Sequence, residues 1–135
     1  MRISMRSRYG LRAMLYVAAH GAGRMVPLSE IATCEGLPAP FLERIAADLR
    51  RSGLLRTRRG VTGGYALARS PRQISAADVV IALDGPLSVL ACIHDQATCK
   101  RADGCRSREA WSRVDRAVAT ALAEVTLQDL MEKAV

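Results

Sequence analysis

The chain has 135 residues, half of them hydrophobic, which is enough for one compact domain with a real apolar core. Its formal net charge is +7, but residues 1–72 hold thirteen arginines and only four acidic residues, whereas residues 73–135 hold seven basic and nine acidic residues. A +9 half beside a −2 half predicts a polyanionic partner for the first half, and arginine suits phosphate and guanine. No apolar run approaches the roughly 20 residues of a membrane span, and no clean cleavage site follows the basic N-terminus, so we expect a cytoplasmic protein without a membrane partner.

The first half of the chain is predicted to be helical before its period changes. Apolar residues at helical spacing indicate a helix over residues 4–20, ended by Gly21 and Gly23. Two short helices follow, the first ending at Gly36 and the second running from the Pro38 region to Gly53. The second short helix has a buried apolar stripe on one side, formed by Phe41, Leu42, Ile45, Ala46 and Leu49.

Two short extended runs come next, over residues 54–58 and 64–68, around a glycine-rich tip. Two short helices followed by a hairpin outline a winged helix-turn-helix. In that motif the second helix enters the DNA major groove, and the hairpin tip reaches the minor groove or the backbone. We therefore predict that residues 1–72 form a domain that binds double-stranded DNA.

The second half is predicted to hold a connecting helix and a cysteine-rich loop within residues 73–105, and a long helix over residues 107–125 within a last segment, residues 106–135. Apolar positions on the long helix recur at alternating intervals of three and four, a coiled-coil period. They are Trp111, Val114, Val118, Ala121 and Val125. This stripe either packs on its own domain or, because most of its side chains are small, forms the seam of a homodimer that reads a roughly palindromic operator. The predicted fold is mainly α with a small β wing: a winged helix-turn-helix domain plus a long C-terminal dimerisation helix.

Several segments resemble the IscR/NsrR-type family of bacterial transcription regulators. The likeness lies in MRISMRSRYGLRAMLYVA, in PLSEIA and in FLERIAADLRRSGLLRTRRGVTGGYALAR, and its most specific part is the wing, RRGVTGGYAL. It extends from residue 1 to about residue 132. The resemblance implies a dimeric winged-helix DNA-binding protein, of a type in which many members sense iron, nitric oxide or redox state through an iron–sulfur cluster.

The resemblance and the side-chain chemistry together predict the DNA contacts. In the first turns of the second short helix, Arg44 can donate to guanine and Glu43 can accept from cytosine. Pro40 and Phe41 lie beside them, and Phe41 fits the core as well as it fits a contact. In the wing, Arg59 is placed to enter a minor groove where negative potential is concentrated, with Gly60 next to it. Phosphate contacts are expected from the remaining arginines of the set, Arg2, Arg50, Arg51 and Arg58.

Three of the four cysteines, Cys92, Cys99 and Cys105, lie within fourteen residues. An odd number disfavours a disulfide framework, and gaps of six and five residues do not match the spacing of structural zinc ligands. Basic neighbours in the loop would lower thiol pKa values and make the thiolates good ligands. A polar loop with three thiolates can wrap an iron–sulfur cluster, 2Fe–2S or 4Fe–4S, and the family resemblance implies the same cofactor.

The fourth cluster ligand stays open at this point. Members of the similar family use a histidine three residues after the third cysteine, or a carboxylate at the eighth residue, where this chain has Arg108 and Arg8. His94 is the best single candidate. The other candidates are Asp95, Asp103, Glu109, Cys34 and a non-protein ligand, although Cys34 is expected to be a small core residue.

Proteins of other classes fit the sequence less well. No nucleophile motif, phosphate loop or carboxylate pair points to an enzyme. The first alternative is a regulator of the same fold without a cluster, which senses redox state through its thiols or binds a metabolite. A more distant alternative is an iron–sulfur carrier protein, which would not need a basic wing.

Overall fold

The computed structural model describes residues 2–133, which form seven α-helices, a two-stranded antiparallel sheet and two single turns of 3-10 helix. Within these residues no helix is long and apolar enough to cross a membrane. The bounds are α1 Met5–His20, α2 Leu28–Glu35, α3 Ala39–Arg51, β1 Leu55–Arg58, β2 Gly64–Leu67, α4 Ala76–Asp84, α5 Ala91–His94, α6 Arg108–Ala123 and α7 Leu127–Glu132; the 3-10 turns are Pro71–Gln73 and Gln96–Thr98. The predicted fold class, mainly α with a small β wing, is confirmed.

Local sequence signals set the ends of α1 and α3. The Ser4 hydroxyl accepts the backbone N–H of Ser7 and so caps α1, which ends at Gly21. Helix α3 has Pro38 as its N-cap and a proline in its first turn, where a missing N–H costs nothing. The buried side of α3 is formed by Leu42, Ile45, Ala46 and Leu49, spaced three and four apart. These side chains pack with α1 residues in one continuous apolar core.

The wing is a tight hairpin that leans on the rest of the domain. Strands β1 and β2 pair from Leu55↔Leu67 to Arg58↔Gly64. Tyr65 also exchanges two backbone hydrogen bonds of 2.8 Å with Val26, in the segment before α2. Gly64 has φ +145°, and a Cβ on it would lie 2.4 Å from the Val26 carbonyl oxygen. The close approach of these two backbones therefore requires glycine at this position.

The second half of the chain returns to the first. Ser75 and Asp78 form a capping box at the start of α4, and Thr126 and Asp129 form another at the start of α7. An isolated bridge joins Ser75 to Thr126, so both helices begin at the same place beside α1. Leu127 is fully buried and belongs to the same core as the residues of α1 and α3. The division of the chain at residues 72 and 105 stays a prediction, while the core itself is continuous across residue 72.

The long helix α6 is shorter than predicted, and Val125 lies outside it. The helix ends at Ala123, because the chain must extend at residues 125–126 to pair with the start of α4. There the Val125 carbonyl accepts the N–H of Ala76 at 2.8 Å. Val125 is therefore half-buried in the link between α6 and α7, and it is not the last position of a helical seam as predicted.

Candidate nucleic-acid interface and cysteine loop

Helix α3 presents a charged face to solvent on the side away from the core. The residues of this helix that were predicted to contact DNA, Phe41 apart, are all exposed: Pro40, Glu43, Arg44, Arg50 and Arg51. Phe41 is half-buried and sets the edge of its ring against Tyr9, with ring centroids 5.8 Å apart. Most of the Phe41 surface is therefore used in packing, which favours the core interpretation of this residue. The hydrogen-bonding groups that this face offers to DNA come from its polar neighbours.

The wing tip holds the other predicted contacts. Arg58, Arg59 and Gly60 are exposed, and Gly60 has φ +106°, which favours glycine. The Arg58 guanidinium donates to the Thr62 carbonyl at 3.1 Å, so it braces the tip from within. Val61 was not predicted as a contact, yet it is fully exposed at the apex. The tip thus carries Arg58, which is held by a hydrogen bond within the hairpin, and Arg59, which lies next to the tight turn at Gly60.

Arg2 lies in a groove that includes no residue of α3, the helix of its predicted partners Arg50 and Arg51. It lines a groove with Ser4, Val80 and Asp84, beside the end of α4. The Asp84 carboxylate accepts from the hydroxyls of Ser4 and Ser7 at 2.6 and 2.7 Å. A phosphate contact by Arg2 stays a prediction.

The cysteine loop is built from short turns at the base of α6. Cys92 lies in the four-residue helix α5, Cys99 follows a single 3-10 turn, and Cys105 comes just before α6. Cys92 and Cys99 are half-buried, Cys105 is exposed, and all are free thiols. Within residues 2–133, histidine, cysteine, aspartate and glutamate side chains form no group of three or more that is placed to hold a metal ion. The described conformation therefore does not bring the three thiols together.

Cys105 has polar neighbours at the start of α6. Its sulfur is 3.3 Å from the Ser107 hydroxyl, close to the backbone N–H of Arg108. These hydrogen bonds, that from Ser107 first, lower the pKa of the Cys105 thiol below its ordinary value. A larger share of Cys105 is therefore thiolate than in a cysteine with an ordinary pKa, and the thiolate is the form that binds metals and reacts with oxidants.

His94 is tied to the long helix by a buried carboxylate that the sequence analysis missed. Its Nε2 lies 2.9 Å from Oδ2 of Asp115, whose other oxygen accepts the backbone N–H of Val89 at 2.7 Å. Asp115 is only 6% exposed. The available signal was its helical spacing from Ser112 and Ala119, which puts it on the less charged side of the helix. The pair joins α5 to α6 directly.

Arg108 occupies the position where members of the similar family carry a histidine. It donates to the Ile93 carbonyl at 3.2 Å, so it holds the turn between Cys92 and Cys99 against the start of α6. Its Nε is buried and has no hydrogen-bond partner among the described residues. Cys34, another candidate for the fourth ligand, is exposed near the hydroxyl of Tyr16, so its expected place in the core is wrong.

Helix α6 has an inner and an outer stripe. The inner stripe faces the chain's own α4 and α5, and its members are Arg108, Ser112, Asp115, Ala119 and Leu122, buried or half-buried at intervals of four and three. The outer stripe holds the predicted seam. Trp111 and Val114 are each 43% exposed, Val118 is half-buried, and Ala121 is exposed. The predicted seam residues on α6 are therefore largely left open by packing within the chain.

Comparison with known proteins identifies the family. The family described as Rrf2, iron-dependent transcriptional regulator, matches residues 3–133. The HTH-type transcriptional regulator CymR of Bacillus subtilis (strain 168) is 37% identical over 131 residues, which cover 96% of this chain and 89% of CymR. The chain belongs to the Rrf2 family of transcriptional regulators. Protein rrf2 of Nitratidesulfovibrio vulgaris is 34% identical over 134 residues, 99% of this chain and 89% of its own length.

Solved structures of Rrf2-family proteins have the same fold. A structure of B. subtilis CymR, described as the global cysteine regulator of that organism, has a TM-score of 0.83 at 33% identity and covers all of this chain and 99% of its own. T. potens IscR has a TM-score of 0.82 at 32% identity, covering all of this chain and 89% of its own. The predicted resemblance is confirmed, and this Rrf2-family chain is a DNA-binding transcriptional regulator, as its relatives are, and not an enzyme.

Arg59 of this Rrf2 chain gives a direct test of the wing. We expect Arg59→Ala to weaken binding to an operator duplex, selected by the wild-type protein from a random pool, by about 1–3 kcal/mol, because alanine cannot reach into the groove. The measurement is a gel-shift titration at fixed salt. Arg113→Ala, which removes an exposed arginine from α6, is the matched control and should leave the affinity within error. Equal affinities of wild type and Arg59→Ala would contradict the wing assignment.

Proposed function

We propose that this Rrf2-family regulator binds a roughly palindromic DNA operator with an affinity that is switched by an iron–sulfur cluster, 2Fe–2S or 4Fe–4S, held by Cys92, Cys99 and Cys105. The signal would be iron supply, redox state or nitric oxide. The single observation that carries the proposal is the cysteine loop itself. It places three free thiols on short turns at the junction between the DNA-binding half and α6.

The chemistry of the donor set suits a cluster. Thiolates are the usual ligands of iron–sulfur clusters, and hydrogen bonds to Cys105 favour its thiolate form. The loop between α4 and α6 is made of a four-residue helix and one 3-10 turn, so few backbone hydrogen bonds oppose a rearrangement that gathers the thiols. When bound, the cluster supplies a thiolate-ligated iron centre that can change charge or be lost.

His94 is the proposed fourth ligand, and its contacts specify the atom. Because Nε2 of His94 is engaged by Asp115 at 2.9 Å, the other ring nitrogen, Nδ1, is the one proposed to bind iron. A carboxylate on one imidazole nitrogen fixes the tautomer and makes the other nitrogen a better ligand. Arg108 cannot take the role of the family's histidine, because a guanidinium has no free lone pair at physiological pH.

The route from the loop to the DNA-binding half is proposed to run through α6. Asp115 on α6 holds both His94 and the backbone at Val89, so a rearranged loop must either carry α6 with it or break these bonds. A cluster that favours one arrangement over the other would change operator affinity by about 1–3 kcal/mol, the usual scale of coupling between two sites.

A homodimer is part of the proposal. The outer stripe of α6, Trp111, Val114, Val118 and Ala121, stays largely open after the inner stripe has packed on α4 and α5. Exposed apolar stripes of this kind mark interfaces, and two copies of α3 related by a twofold axis would match two half-sites. The regulator would act in the cytoplasm, where its DNA is.

A cluster-free regulator of the same fold is the second candidate. It is favoured by the described conformation, in which the three thiols are not placed around one metal ion, and by the likeness to CymR, which is described as a cysteine regulator. In this case an oxidant such as a peroxide would take two electrons from Cys105 and a neighbouring thiol, and the disulfide formed would replace the cluster as the switch.

The experiment that separates the two candidates is an ultraviolet–visible spectrum of anaerobically purified protein, with iron and acid-labile sulfide assayed on the same sample. We expect charge-transfer bands in the visible and matched iron and sulfide. The same sample, before and after removal of the cluster, should differ in operator affinity. A sample that stays colourless after anaerobic reconstitution would refute the cluster and leave the thiol switch.

A further inference from the structure

A basic groove lies between α1 and α3, with one residue of α1 on one side and the exposed face of α3 on the other. It has a volume of about 380 Å³ and is lined by Arg6, Phe41, Arg44, Ala47, Asp48 and Arg51. Three arginines face a single aspartate, so the groove carries a formal charge of +2. Arg44 and Arg51 are among the predicted DNA contacts, whereas Arg6 and Asp48 are not.

The two arginines at one end of the groove are held by the same carboxylate. Arg6 donates to one oxygen of Asp48, and Arg51 donates to the other. The Asp48 side chain is 22% exposed, that of Arg6 39% and that of Arg51 72%. Hydrogen bonds from Arg51 and then from Arg6 lower the pKa of Asp48, so the carboxylate stays ionised at neutral pH. The shared carboxylate fixes the two guanidinium groups side by side and leaves much of both in contact with solvent.

A purely structural role explains only part of this arrangement. The pair of Arg6 with Asp48 connects α1 to α3, but Asp48 and Arg51 lie three residues apart on α3 and connect nothing. One arginine would already neutralise the carboxylate. Exposed ion pairs also contribute little to stability. The second arginine therefore adds net positive charge at a fixed position next to the DNA-binding face.

We propose that Arg6 and Arg51, oriented by Asp48, form a clamp for a phosphate of the DNA backbone that lies along the edge of α3. Planar guanidinium groups bind phosphate oxygens with two N–H donors each, and groups that are already oriented lose little freedom on binding. The clamp would set the depth and register of α3 in the major groove, as phosphate contacts do, without reading bases. This inference rests on the DNA-binding role of the chain and is independent of the cluster.

The test is the salt dependence of binding to the operator duplex that the wild-type protein selects. Removing one phosphate contact makes the slope of log K against log salt shallower by about 0.9, so a fourfold rise in salt would weaken the wild type about three- to fourfold more than the variant. We expect this change, for each copy of the chain on the duplex, in Arg6→Gln and in Arg51→Gln. Because the ion pair of Arg51 with Asp48 lies within α3, we expect Arg51→Gln to fold as the wild type does.

Two further variants distinguish a clamp, in which Asp48 orients both arginines, from two arginines that act independently. Arg12→Gln removes another arginine of α1, one that pairs with Glu35 across to α2 at 2.9 Å, and should leave the slope unchanged. Asp48→Asn keeps both arginines but loses the carboxylate that orients them, so we expect its operator affinity at fixed salt to fall, whereas two unoriented arginines relieved of a nearby negative charge would bind equally well or better. Urea unfolding confirms that each variant is folded.

Slopes of Arg6→Gln and Arg51→Gln equal to that of Arg12→Gln would overturn the clamp, and so would an Asp48→Asn variant that binds the operator at fixed salt as tightly as the wild type or more tightly. A failure of the proposed switch looks different. In that case cluster removal leaves operator affinity unchanged, while the differences in slope between the variants persist.

Discussion

Replacing Cys92 with alanine is expected to abolish the visible absorption of the anaerobically purified protein and to reduce its iron and sulfide to background. Cys92 lies in α5, two residues from His94, whose ring contacts Asp115 on α6. With one of three thiolate ligands gone, the remaining donors are too few and too far apart in sequence to hold a cluster. Spectra, iron and sulfide of wild type and variant are measured side by side.

Cys34→Ala is the matched control, because Cys34 is an exposed thiol on α2 and is not part of the cysteine loop. We expect it to keep the bands and the iron content. His94→Ala should keep a cluster but lose the nitrogen hyperfine coupling that a ring-nitrogen ligand gives in the electron paramagnetic resonance spectrum of the reduced protein. Bands that persist in Cys92→Ala, or that disappear in Cys34→Ala, would contradict the assignment of the ligands.

The helix-turn-helix half was predictable because its signals are local. The Ser4 cap, the prolines at the start of α3 and the stripe from Leu42 to Leu49 each depend on residues within a few positions. The wing was predictable for the same reason, since its glycines have one main use in a tight hairpin. The observed β1 starts one residue later than predicted and the observed β2 ends one residue earlier, while their other ends agree with the prediction.

The polar networks were not predictable, because they join residues far apart in the sequence. Asp48 is 42 positions from Arg6, and Asp115 is 21 positions from His94. Neither aspartate breaks the helical period of its segment, so each resembled an ordinary solvated residue. The same limit explains Val125, whose apolar side chain continues the period of α6 while its backbone is taken by the bridge to α4.

Each of these two polar pairs lies within one half of the chain. The ion pair of Arg6 with Asp48 fixes a basic edge on α3 by contacts within the first half alone. The pair of His94 with Asp115 fixes the cysteine loop to α6 by contacts within the second half alone. Among the described residues, the halves meet where α4 packs on α1 and α3 and where α7 packs on α1, so we expect communication to use this packing or a second copy of the chain on the outer stripe of α6.

Replacing Gly64 with alanine is expected to lower the free energy of unfolding by about 2–6 kcal/mol, the sum of backbone strain and a steric clash. Gly64 has φ +145°, which side chains rarely tolerate, and its added Cβ would lie 2.4 Å from the Val26 carbonyl oxygen. That oxygen accepts the Tyr65 N–H, so relief of the clash must break the bridge that seats the wing on the domain. Urea unfolding of wild type and variant at equal cluster content measures the difference.

Gly60→Ala separates the two causes, because Gly60 also has a positive φ, +106°, but a Cβ there would have no atom within 4 Å. It should cost only the backbone strain, about 1–3 kcal/mol, and leave the bridge between Val26 and Tyr65 intact. Equal destabilisation of the two variants would mean that strain alone keeps glycine at residue 64. A larger effect of Gly64→Ala would show that the close contact between the wing and Val26 accounts for the destabilisation beyond backbone strain. The position of Arg59 relative to α3 would then depend on this one backbone contact outside the hairpin.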